Sequence, residues 1–249
     1  MRILFINPNT TASMTDRMLR EAERLQHPGV VWSASTGRFG APYIASRAAS
    51  AIAGHAALDA FARDGAGCDA VLLACFGDPG LSALKELSPV PVIGMAEASC
   101  LLACTLARRF SFVTGGERWP EMLEEFIAAQ GLSSRLAGIR AVAPTGDMIA
   151  RDPDGALAVL AEAVRACANE DGAGAVILAG AGLVGLGGKL EGVVDVPVLC
   201  SFRAVVELTV ATVRLGPSKP KTGAFAATPP IATSGLSDAL AELLARQPR

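Results

Sequence analysis

A cysteine in a glycine-rich turn after an apolar run is placed to work as a thiolate, and this chain holds one with an informative counterpart. Cys75 falls near the end of the phrase DAVLLACFG (69–77), and a second phrase, GAVILAGAG (174–182), repeats it with Gly180 in the cysteine's place. The thiol leads into Phe76-Gly77-Asp78-Pro79-Gly80, which sets a carboxylate, Asp78, close by and backbone amides behind the sulfur. The spacing puts Cys75 ahead of a helix N-terminus, where a thiol's pKa is expected to fall. A buried structural cysteine is the alternative; the switch from strand to loop and the nearby Asp78 favour the reactive one. Cys200, in the phrase VPVLCSFRA (196–204), also sits at the end of an apolar run, as a core residue or as a second thiol on the same edge.

Polar and small residues occupy the other strand ends. In Asn7-Pro8-Asn9-Thr10 the side chains of Asn7 and Thr10 can cap the following helix or donate to a carboxylate or imide oxygen. Thr114, followed by two glycines, is a hydroxyl donor for an anionic group. Gly180-Ala181-Gly182 permits close approach of a ligand to the backbone, and its successive N–H groups can form an anion nest, although tight helix packing needs the same small residues.

The elements that must position these residues are written twice. MRILFINPNT at Met1 resembles RRFSFVTGGE at Arg108, and VPVIGMAEA at Val90 resembles VPVLCSFRA at Val196; with the cysteine phrase, three matches keep the same order at offsets of 105 to 107 residues. This predicts an α/β fold of two similar lobes, each a short parallel sheet flanked by helices, related by a pseudo-two-fold duplication with the site in the cleft between them. The expected division is 1–95 plus 205–249 for the N-terminal lobe with its C-terminal wrap, and 96–204 for the other. Apolar runs at Arg2–Ile6, Val30–Ser33, Ala70–Ala74, Val92–Ile93, Phe110–Val113, Ala175–Ala179 and Val198–Leu199 read as buried strands. Helical stretches alternate with them at Thr11–Leu25, Tyr43–Arg63, Leu81–Leu87, Glu97–Arg108, Trp119–Gln130, Asp154–Asn169, Arg203–Leu215 and Ser234–Arg246. Pro217–Pro230 reads as a surface loop before the last helix. Open parallel sheets place ligands at the carboxyl ends of their strands, so the loops after Ile6, Ala74, Val113, Ala179 and Leu199 should converge.

Composition narrows the class. A hydrophobic fraction of 51 % with 5 % aromatics is an Ala, Val, Leu and Gly composition that suits strands packed under helices. A net charge of −2 without a basic cluster argues against nucleic acid, and the apolar runs are too short and interrupted to span a bilayer. No signal peptide is expected from the N-terminal residues, and six cysteines without a C-x-x-C pair lead to the expectation of a reducing cytoplasmic location. Only two histidines, neither near another ligand type at useful spacing, argue against a metal. The expected partner is a small-molecule substrate, and a homo-oligomer is left open.

The phrases INPNT at Ile6, ACFGDPGL at Ala74, PVIGMAEA at Pro91, RFSFVT at Arg109 and KPKTGAFAATPP at Lys219 resemble the aspartate/glutamate/hydantoin racemase superfamily, most closely its hydantoin and allantoin racemase branch. The resemblance implies two α/β lobes, no cofactor, and a cysteine from each lobe flanking an acidic C–H. It implies Cys75 as one acid/base thiol, Asp78 as its neighbour, and Asn7 and Thr114 as substrate-binding groups. Where the family pattern has Cys-Gly-Gly-Met, this chain has Gly180-Ala181-Gly182-Leu183, and GAPYIAS at Gly40 departs from the usual Ser-Ile-Glu at Tyr43 and Ala45. Inversion of a carbon next to a carbonyl needs a base on one face and an acid on the other. The expected function is a cofactor-independent racemase or epimerase acting on a small cyclic ureide or carboxylate, with Cys200 or water replacing the second thiol. The alternatives are a one-thiol decarboxylase or lyase of the arylmalonate decarboxylase type, and an inactive ligand-binding homologue.

Overall fold

The computed structural model of the chain describes residues 1–142 and 152–246. Within them the backbone forms two compact units, Met1–Gly94 with Val206–Arg249, and Met95–Val205. Each unit is built on four parallel strands.

In the first unit β1 (Arg2–Asn7), β2 (Val31–Thr36), β3 (Ala70–Leu73) and β4 (Val92–Gly94) are ordered β2-β1-β3-β4. Helices α1 (Ala12–Arg24), α2 (Arg47–Asp64) and α3 (Leu81–Leu87) form the crossovers. The central strands are apolar on both faces because helices cover both. Leu4, Ile6, Val71 and Leu73 share a core cluster with Ala57, Phe61, Leu81 and Leu84 from α2 and α3. Full burial of side chains such as Ile6 and Leu73 contributes about 1.5–3 kcal/mol each.

The second unit repeats this plan. After α4 (Met95–Leu106), strands β5 (Phe110–Thr114), β6 (Leu136–Ala141), β7 (Ala175–Ala179) and β8 (Val198–Cys200) are ordered β6-β5-β7-β8, with α5 (Trp119–Ala129) and α6 (Pro153–Asn169) as crossovers. Val113, Val176 and Leu178 pack with Leu160 and Val164 of α6. β6 is absent from the sequence expectation. Its residues are all half-buried, so LAGIRA carries neither an apolar run nor a clean alternation. Arg140 anchors this edge strand with a bidentate pair to Asp171, Nε to Oδ2 at 2.9 Å and Nη2 to Oδ1 at 2.7 Å. A Cβ at Gly138 would lie 2.7 Å from that carboxylate, so glycine leaves the acid its place.

The chain returns to the first unit within α7 (Ser201–Leu215) and closes with α8 (Asp238–Ala245). Residues 216–237 contain no helix or strand, as their prolines predict. They are held by specific bonds. Lys219 Nζ donates to the carbonyls of Lys85, Glu86 and Ser88 at 2.6 to 2.9 Å, capping the C-terminal end of α3. Ser237 caps α8 and donates 2.5 Å to the buried Asp59 of α2.

Candidate active site

The duplication is visible in the register as well as in the sequence. Ile6 pairs with Leu73 and the Ala74 N–H donates 2.8 Å to the Ile6 carbonyl; in the other sheet Thr114 pairs with Ala179. Cys75 and Gly180 therefore each follow the alanine that closes the ladder on the first strand of their sheet. The backbones then diverge. Gly180 has φ +116°, a conformation that L side chains rarely adopt, whereas Cys75 does not have positive φ. A Cβ built on Gly180 or Gly182 would have open space around it. Ala181 opens a single 3-10 turn, Ala181–Leu183, and the Leu183 N–H donates 3.1 Å to the Gly180 carbonyl.

The turn after β3 is tight. Gly77 (φ +89°), Asp78 (φ +49°) and Gly80 (φ +80°) are left-handed, and the Asp78 N–H donates 3.0 Å to the Cys75 carbonyl. Gly80 also lies against α2, where a Cβ would come within 2.8 Å of the Gly54 Cα, so no other residue fits that place. Phe76 and Asp78 are buried; Cys75 and Gly77 are half-buried. The Asp78 carboxylate lies against Gly94 at the end of β4, and a side chain there would collide with it.

The thiol does not have the lowered pKa that its position in the sequence suggests. Burial pushes Cys75 up to about 12, and the Asp78 carboxylate pushes in the same direction. The helix contributes little because α3 begins only at Leu81, beyond the left-handed turn, and is a short helix of 7 residues. The Cys75 Sγ donates 3.7 Å to the Phe76 carbonyl, a contact that suits the protonated form.

Asn7 and Thr114 stand at matching strand ends, and both are buried. The Thr114 hydroxyl lies 3.4 Å from the carbonyls of Gly115 and Ala179, and Asn7 bonds within its own unit. Thr10 is half-buried, with its N–H on the Ala41 carbonyl at 3.2 Å. Cys200 ends β8, paired with Leu178 rather than Gly180. One strand over and two residues short, its Cα stands ~8 Å from that of Gly180. Gly187 presses on it, with a Cβ there coming 3.1 Å from the Cys200 Cβ.

The loop after β2 escaped sequence reading. That strand runs to Thr36, beyond the expected Ser33, and segment 37–46 is bonded to the loop after β1: the Gly37 N–H donates to the Asn7 carbonyl at 2.8 Å and Thr11 Oγ1 to the Pro42 carbonyl at 2.8 Å. The continuing Ser-Ala-Ser-Thr pattern was the available signal. Among the described residues no group of three or more His, Cys, Asp or Glu could hold a metal ion, and no helix is long and apolar enough to cross a membrane.

A hydantoin racemase of Paenarthrobacter aurescens is 33 % identical to this chain over 229 residues, 90 % of this chain and 96 % of that one. The crystal structure of allantoin racemase from Pseudomonas fluorescens is similar with a TM-score of 0.89 at 31 % identity, covering 94 % of this chain and 100 % of that one. Arylmalonate decarboxylase, at 20 % identity and a TM-score of 0.62 over 88 % of this chain and 96 % of its own, shares the fold. A family model described as Asp/Glu/Hydantoin racemase matches residues 3–209. The chain belongs to the Asp/Glu/hydantoin racemase family, as a racemase-type enzyme.

Proposed function

We propose that the enzyme racemises a small cyclic ureide of the hydantoin or allantoin type through Cys75 alone among its thiols. The observation that carries this reading is the half-buried Cys75 directly beyond β3, in a chain that aligns over 90 % of its length with a hydantoin racemase. The carbon to be inverted lies next to a carbonyl. The Cys75 thiolate takes its proton, the electron pair moves into the carbonyl to give an enolate-like intermediate, and a proton returns to the other face of the planar carbon. Donors that meet the developing oxyanion lower the barrier. The backbone amides at Gly180-Ala181-Gly182 are the proposed donors, and Thr10 holds the substrate alike before and during the transfer, so it serves binding. Open space at Gly180 and Gly182 supports close approach to the backbone.

The second proton carrier is not a thiol at Gly180. Cys200 lies two residues short of the level of Gly180 on the neighbouring strand, which supports water as the proposed carrier. Enantiopure 5-substituted hydantoins and allantoin followed by polarimetry test this. Native enzyme should abolish optical rotation and Cys200→Ala should do so at the same rate; loss of inversion in Cys200→Ala would assign the second role to Cys200. No loss of rotation with any ureide would overturn the substrate class.

One observation favours a second reading. A half-buried thiol held protonated is suited to deliver a proton to one face of an enolate made by another bond cleavage. Carbon dioxide released from an aryl-substituted malonate, with a single enantiomer as product, would establish that one-sided reaction.

A further inference from the structure

Asn7 ends β1 with its side chain completely buried, and its hydrogen-bonding capacity is used inside the first unit. Its Nδ2 donates to Asn9 Oδ1 and to Thr15 Oγ1, both at 2.9 Å, and its Oδ1 accepts the Asn9 N–H at 3.3 Å. The bonds continue outward in both directions. Thr15 Oγ1 meets Thr36 Oγ1 at 2.7 Å, which ties the end of β2 to the first turn of α1. Asn9 Oδ1 accepts the Thr11 N–H at 2.9 Å, and Thr11 Oγ1 reaches the Pro42 carbonyl. Gly37 locks the two loops backbone to backbone, since its N–H also reaches the Asn9 carbonyl at 3.1 Å and a Cβ on it would come within 2.6 Å of the Pro8 carbonyl.

A fully enclosed amide bonded in this way cannot meet a ligand without leaving buried partners unsatisfied. Pro8 and Asn9 are buried too, and the Thr11 hydroxyl is engaged, so Thr10 is the side chain of this loop that remains to meet a ligand. We infer that Asn7 is a positioning residue: it fixes the loops after β1 and β2 as one piece and thereby presents Thr10, which makes the substrate contact. The inference rests on the racemase reading for its kinetic consequence and on the hydrogen bonds alone for its structural one.

Thr10→Val, Asn7→Ala and the double variant test it, with kcat and KM measured on a 5-substituted hydantoin and amide hydrogen exchange followed over 7–11 and 37–46. Thr10→Val should raise KM about tenfold, the value of one hydrogen bond, with kcat and exchange unchanged. Asn7→Ala should raise KM by a similar factor and also speed exchange at Gly37 and Thr10. The two KM effects should not multiply, because Asn7 acts through Thr10. A double variant with KM raised about a hundredfold, and exchange unchanged in Asn7→Ala, would overturn the inference and give Asn7 its own contact. If Asn7→Ala does not fold, Thr36→Val removes only the outermost hydroxyl; it should raise KM in the same direction, and an unchanged KM would overturn the inference. Absence of turnover by the native enzyme would count against the racemase reading alone, since the exchange prediction stands or falls without substrate.

Discussion

Cys75, the proposed proton-transferring thiol, lies in an environment that opposes its ionisation. Burial and the Asp78 carboxylate both favour the neutral thiol, with the pKa near 12, so the thiolate is scarce at neutral pH. If the thiolate is the working form, kcat/KM, corrected for uncatalysed exchange, should rise about tenfold per pH unit from pH ~7 to ~9. A flat profile would identify the protonated thiol as the working form. Asp78→Asn should move the rising limb to lower pH, because it removes one of the two causes, and asparagine tolerates the left-handed φ of +49° at this position. Gly180→Cys places a thiol at the duplicate position, and the site has room for it. Its φ of +116° makes the substitution cost on the order of 1–3 kcal/mol. We expect a less thermostable protein with faster inversion of an α-proton substrate. A folded Gly180→Cys protein that binds ligand without that gain would count against the functional equivalence of the two strand ends.

At the scale of elements, the C-terminal helix is held by an ion cluster with a defined pH dependence. Burial would raise the Asp59 carboxyl, but the Ser237 hydrogen bond and the Arg38 guanidinium outweigh it, with Arg63 adding, so its pKa falls below the ordinary 3.8. A carboxyl with a lowered folded pKa stabilises the fold fully above its unfolded value and loses that contribution as pH falls through the folded one. Protection of the α8 amides, corrected for the intrinsic slowing of exchange in acid, should therefore fall as the solution is acidified below about pH 4, and Asp59→Asn should be destabilised at pH ~7 with that dependence removed. Protection in α8 unaffected by acid would remove Asp59 from its docking. This cluster was invisible in the sequence, since Arg38, Asp59 and Ser237 meet only through the fold. The helices and central strands were legible, because β1, β3, β5 and β7 are buried on both faces and stand out as apolar runs. The edge strands divide: β4 and β8 carry the short apolar runs expected of them, whereas β2 runs three residues beyond its expected end and β6 has no apolar run to mark it. Of the candidate site, the strand-end placement of Cys75 and its equivalence in the repeat to Gly180 were readable from spacing alone. The raised thiol pKa and the enclosure of Asn7 were not, since both depend on what packs around the residue.

At the scale of the whole molecule, the two units share one strand order but differ in their chemistry. The first keeps a thiol and an acid in the turn after β3, with Gly94 ending β4; the second has Gly180 and Leu183 at the corresponding places and a strand-end thiol at Cys200, the counterpart of Gly94. The two units thus have similar sheet edges, with Cys75 in the turn of one and Gly180 at the corresponding place of the other. The most direct measurement follows deuterium entering the acidic carbon of an enantiopure 5-substituted hydantoin in D₂O, with the enantiomers separated before mass analysis. We predict that native enzyme incorporates deuterium into the inverted product and that Cys75→Ser, while folded, is slower by about 10²–10⁴-fold. Exchange by Cys75→Ser within about threefold of native would contradict the role of Cys75 as the proton-transferring residue.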